Sequence, residues 1–200
     1  HIAKVRWNIT LPAQSPFSLV SMEKVNNERD ITLTDSEFKR LLEVATKSKM
    51  LCLADMIKFA AITAARYSEI TGLLRCNTDI NKKTAKFLDT KNGEDRTIPL
   101  HDDAIAILNK YPFGDKFFNV KTREIFRNYF DKARDAAGLS HFRFHDLRSY
   151  AIRKMLLSGM SEIKVAAISG HKTLAILHRR YARIKAHDLI EEVNNVVNLK

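Results

Sequence analysis

The segment Lys91-Asn92-Gly93-Glu94-Asp95 lies between two short strand-like runs, Thr84 to Thr90 and Arg96 to Leu100. Asn and Gly both tolerate the positive φ of a tight turn, so the Asn92-Gly93 pair predicts an antiparallel hairpin at one point in the chain. The sequence on either side has helical spacing. Thr34 followed by Glu37 forms a capping box ahead of an apolar face of Phe38, Leu41, Leu42 and Val44. A denser apolar helix is predicted over 51–65, and a third carries Tyr67, Ile70, Leu73 and Leu74. Past the hairpin, predicted helices cover about 102–110, 122–137, 144–158, 161–169 and 173–184. A last one, about 186–198, gathers Leu189, Ile190, Val193, Val196 and Val197 on one stripe. The expected fold is therefore mainly α with a small antiparallel β-sheet.

Composition narrows the class. Hydrophobic residues make up 45% of the 200, enough for a real core, and no apolar run reaches the roughly 18 residues that span a bilayer. No membrane partner is expected. Thirty-four Lys and Arg against 23 Asp and Glu leave a formal charge of +11, which favours a polyanionic partner, chiefly nucleic acid. Cys52 and Cys76 lack metal-ligand spacing and read as reduced core thiols of a cytosolic protein. Residues 1–30 are different in kind. Leu11 to Phe17 is punctuated by Pro12 and Pro16, and Met22 to Asp30 is mainly polar. With His1 at its head and no secretory pattern, this stretch reads as a linker from a separate N-terminal domain. Residues 31–200 then form the folded domain.

Five small motifs carry candidate chemistry. His145 and Arg148 are three apart on a predicted helix, and an Arg fork beside a His can grip a phosphate. Arg66 and Glu69 have the same spacing, so the carboxylate can orient the guanidinium; Arg66 also follows an apolar helix where the chain should turn. Lys91 sits at the predicted hairpin tip. Gly170-His171 closes one helix and opens the next segment. Tyr181 lies in the basic stretch Arg179-Arg180-Tyr181-Ala182-Arg183. Each alone has a plainer reading: a solvated helix face, a surface ion pair, an exposed lysine, a helix cap, a packing tyrosine.

Their order is more specific. Thr63-Ala64-Ala65-Arg66-Tyr67-Ser68-Glu69-Ile70, the hairpin from Thr90 to Leu100, Phe144-His145-Asp146-Leu147-Arg148, Gly170-His171-Lys172-Thr173-Leu174 and finally Tyr181 together resemble the tyrosine recombinases, the phage integrase family. The resemblance covers about residues 31–185, the family's catalytic domain, and implies a DNA strand transferase that works without metal, ATP or other cofactor. It implies that Tyr181 attacks a phosphodiester to form a 3′-phosphotyrosine and free a 5′-hydroxyl. Arg66 and Arg148 match the family's arginine pair, which would stabilise charge on the non-bridging oxygens. His145 and His171 match its phosphate-binding or proton-handling histidines. Lys91 matches the lysine that protonates the leaving oxygen, and Glu69 would orient Arg66. The implied partners are double-stranded DNA, further copies of the chain in a tetramer joined through the 186–198 helix, and a DNA-bending accessory protein. The implied setting is the cytoplasm of a bacterium or its phage, at the nucleoid.

Two positions depart from the family pattern. Tyr181 stands ten residues after His171, where the family most often has nine, and one extra residue turns a helix face by about 100°. Ser149 stands where a second histidine often follows the His-x-x-Arg motif. Two further functions use the same residues: DNA relaxation of the type IB topoisomerase kind, and a DNA-binding module whose activity has decayed.

Overall fold

The computed structural model describes residues 33–88, 95–175 and 177. Helix α1 (Asp35–Thr46) begins with the capping box read from the sequence. The Thr34 N–H donates to Glu37 Oε2 at 2.8 Å, and the Glu37 N–H donates to Thr34 Oγ1 at 3.3 Å. Helix α2 (Leu53–Thr63) is shorter than the predicted 51–65: Leu51 is exposed outside it, and Ala64 ends it in a left-handed conformation. Leu53, Met56, Ile57 and Phe59 are wholly buried, as a helix apolar on most of its faces must be. α2 is the axle of the fold. It packs on α1, on α4 (Asp102–Asn109), on α5 (Arg123–Ala136) and on α6 (Asp146–Leu157).

Helix α3 (Tyr67–Thr71) stops before Leu73 and Leu74, which the sequence places on it. The cause lies outside the helix. The Arg75 N–H donates to the Asp115 carbonyl at 2.8 Å, while its guanidinium donates to the carbonyls of Tyr111 and Gly114 at 2.5 and 3.1 Å. These bonds draw the chain into a 3₁₀ turn, Arg75–Asn77, and leave Cys76 exposed rather than in the core. Cys52 is half-buried, and burial pushes its thiol pKa up.

The sheet is antiparallel with strand order β1 (Thr78–Asp79), β2 (Thr84–Phe87), β3 (Arg96–Pro99). Ala85 pairs with Ile98, and Phe87 with Arg96. Ala85, Phe87 and Ile98 are buried, giving the sheet one inward face. The hairpin tip falls at 89–94, outside the described residues. Strand β1 was not expected: two residues are too few to show a period of two.

Helix α7 (Glu162–Ser169) packs on α6 and β3. A small second core of Ala64, Ala151, Ile152, Val165 and Leu177 fills the space where the end of α2 meets α6 and α7. Another face of α6 is clasped to α1, where the Tyr150 hydroxyl and the Lys154 ammonium each donate to Asp35 at 2.8 Å. Among the described residues no helix is long and apolar enough to cross a membrane. The predicted helix over 186–198 lies outside them.

Candidate active site

One sharp turn sets up the site. Ala64 takes φ 55°, ψ 21° at the end of α2, a conformation that costs an L-residue with a Cβ about 1–2 kcal/mol. The turn delivers Arg66 to the first cap of α3 and aims the Ala64 carbonyl at α6, where it accepts from Arg148 Nη1 at 2.7 Å. Arg148 Nη2 donates to the Ser169 carbonyl at the end of α7. Its guanidinium is thus forked between two backbone carbonyls from separate helices, and Arg148 is only 3% exposed. The protein has desolvated a permanent charge here and given it neutral acceptors.

Arg66 is held differently. Its N–H donates to Glu69 Oε2 and its Nη1 to Glu69 Oε1, both at 2.7 Å. Glu69 is buried. Burial pushes its carboxyl pKa up, but the hydrogen bonds and charge of Arg96, followed by the Arg66 contacts, outweigh that and hold it below the ordinary value. The sequence reading paired Glu69 with Arg66 and missed Arg96. Arg96 Nη2 lies 2.6 Å from Glu69 Oε2, and its Nε donates to Oε1 at 3.3 Å.

His171 follows Gly170, whose φ of 72° closes α7. The Gly170 and His171 N–H groups both donate to the Ala166 carbonyl, at 2.7 and 3.1 Å. The Ser169 hydroxyl donates to the Val165 carbonyl at 2.6 Å and lies 2.7 Å from His171 Nδ1. That contact fixes the orientation of the imidazole against the end of α7. His145 caps the start of α6 and is exposed.

These groups open on one cleft of about 1190 Å³, lined by Arg66, His145, Arg148 and His171 together with a basic rim that includes Arg123, Arg127 and Lys172. Its apolar wall is a ring cluster: Tyr67 lies 4.7 Å from Phe126, which lies 4.9 Å from Phe144. This wall seats α3 directly after Arg66, and Arg123 lies over the Tyr67 ring at 5.7 Å. Two fixed guanidiniums and two imidazoles around such a cleft suit a phosphate whose charge grows during reaction. Glu69 stands behind Arg66. Lys91, Tyr181 and the spacing between His171 and Tyr181 lie outside the described residues. A signal for Arg96 was present: it stands two before the buried Ile98, so the strand period turns it to the inward face.

The family model described as the phage integrase family matches residues 31–187. A shufflon-specific DNA recombinase of Escherichia coli is 32% identical over 197 residues, covering 97% of this chain and 50% of the relative. The catalytic domain of bacteriophage HP1 integrase superposes with a TM-score of 0.64 at 23% identity, over 84% of this chain and 94% of that one. The Tn1549 transposon integrase, solved in complex with transposon right end DNA, gives 0.65 at 16% identity, over 86% of this chain and 67% of that one. The chain spans 50% to 62% of the length of the curated relatives it matches.

Proposed function

This chain belongs to the phage integrase family, and from that premise we propose that it is a site-specific recombinase acting on double-stranded DNA. The Tyr181 phenolic oxygen attacks a backbone phosphorus, forming a 3′-phosphotyrosine as the bond to the 5′-oxygen breaks. The phenol gives up its proton to a neighbouring base, and Lys91 supplies one to the departing 5′-oxygen. Arg66 and Arg148 hold the non-bridging oxygens as their charge rises, with His145 and His171 beside them. A 5′-hydroxyl then attacks the phosphotyrosine and releases Tyr181. The ester conserves the energy of the broken bond, so the cycle needs no nucleotide. Exchange between strands calls for several copies on one DNA, and the apolar stripe from Leu189 to Val197 is the segment proposed to join them.

The observation that carries this reading is the meeting of Arg66, His145, Arg148 and His171, from three separate segments, on one basic cleft. The relatives it matches are recombinases and integrases, which favours recombination over relaxation. The test is covalent capture. The protein is incubated with a nicked duplex selected from a randomised library, and the adduct is mapped by peptide sequencing. Attachment at Tyr181, lost in Tyr181→Phe with duplex affinity kept, is the expected result. Attachment at Tyr150 or any other residue rejects the assignment.

A further inference from the structure

Arg96 does not line the cleft, yet its side chain touches several parts of the frame around it. It reaches Glu69 through two nitrogens and donates through Nη1 to the Ile168 carbonyl near the end of α7. Its guanidinium lies 5.1 Å from the ring of Phe87, its partner across the hairpin. Its chain also fills the space beside Gly170, where an added Cβ would come within 2.9 Å of Arg96 Cδ. Strand β3, Glu69 and the turn before His171 therefore meet on one partly buried cation.

Charge gives this junction its consequence. A lone Arg66–Glu69 pair is neutral, and an arginine whose charge is cancelled by its own carboxylate is a poor phosphate ligand. With Arg96 on the same carboxylate, the trio carries one net positive charge, and Arg66 is the member that faces the cleft. We infer that Arg96 is a positioning residue: it balances Glu69 from behind, so that Glu69 orients Arg66 without consuming the charge Arg66 presents to a phosphate. The role of that phosphate in strand cleavage rests on the function proposed above; the charge balance itself does not.

The two are tested separately. Single-turnover adduct formation on the selected nicked duplex is measured for wild type, Arg96→Gln, Glu69→Gln and the double variant, with thermal unfolding followed in parallel. Arg96→Gln should slow cleavage about 10- to 100-fold, less than loss of a donor that touches the phosphate. Its duplex affinity, spread over many phosphates, should stay within about twofold. The double variant should cleave faster than Arg96→Gln, because the unbalanced carboxylate is gone. Wild-type rates in Arg96→Gln, or a double variant no faster than it, overturn the inference. If Arg96→Gln does not fold, Glu69→Gln is compared with the double variant. Rates within about threefold support action through Glu69, and a further tenfold loss refutes it. A wild type that forms no adduct rejects the recombinase reading alone. Arg96 is then judged on inorganic phosphate, titrated by nuclear magnetic resonance of the cleft. Affinity should fall about 3- to 10-fold in Arg96→Gln and recover in the double variant, and an unchanged affinity overturns the inference.

Discussion

Arg148 is gripped by two backbone carbonyls, those of Ala64 and Ser169, whereas Arg66 is gripped by a carboxylate that it shares with Arg96. Both reach the same cleft. The two carbonyls bring no formal charge of their own but demand a fork of the right width, since acceptors from different helices must be met at once. The carboxylate socket is more forgiving in geometry and costs charge, which a second arginine restores. A protein can thus hold a cleft cation by shape or by balance, and the two should fail in different ways.

The shape socket should break hardest. Arg148→Ala removes a donor facing the cleft and strands two carbonyls, so cleavage should fall by about 10²–10³. Stability should also drop, by about 1–3 kcal/mol for each acceptor left buried. Arg148→Lys keeps the charge but cannot fork, and it should recover little of the loss. Adduct kinetics and urea unfolding of both variants check this.

Glu69→Gln probes the balance socket, with an expected rate loss of about tenfold, smaller than that of an arginine in the cleft. It also changes the acid limb of stability. Because the folded carboxyl titrates below its ordinary value of 4.5, its contribution is complete above that value and fades as pH falls through the lower folded one. Replacing Glu69 should flatten that part of the urea midpoint against pH, and an unaltered curve would show that the carboxylate is not bound as described.

Gly170→Ala sharpens the comparison from the side of Arg96. The residue sits at φ 72° with Arg96 Cδ 2.9 Å from the new Cβ, so about 1–3 kcal/mol of stability should be lost. Cleavage should fall only a few-fold, because Arg96 must shift while Glu69 remains. The smallest effect belongs to a control away from both sockets. Tyr150→Phe deletes the bond to Asp35 but keeps the ring stacked 4.9 Å from Phe38. It should cost about 1 kcal/mol in the urea midpoint and leave the cleavage rate unchanged.

The split between the sockets also marks what could be read from sequence. Local features were legible: the capping box at Thr34 and Glu37, the apolar run of α2, the orientation of Arg66 by Glu69 three residues on. These depend on neighbours along the chain. The Arg96 contact with Glu69 spans 27 positions and its contact with Ile168 spans 72, so only a folded backbone brings them together. Ala64 gave no warning of its left-handed turn, because alanine is the residue a helix most readily continues through. His145 and Arg148 share a motif, but their surroundings differ: one is exposed at a helix cap, the other is buried.

Position 64 has a consequence for how such a chain tolerates inherited change. Its backbone is left-handed and its side chain wholly enclosed by the small core with Ile152 and Val165. Glycine would relax the turn but loosen the unfolded chain, while any branched or longer residue meets both an unfavourable φ and filled space. Drift at this site is therefore confined to the two smallest residues. A saturation library selected for folding should come back nearly uniform at 64, although the residue touches no substrate and carries no functional group.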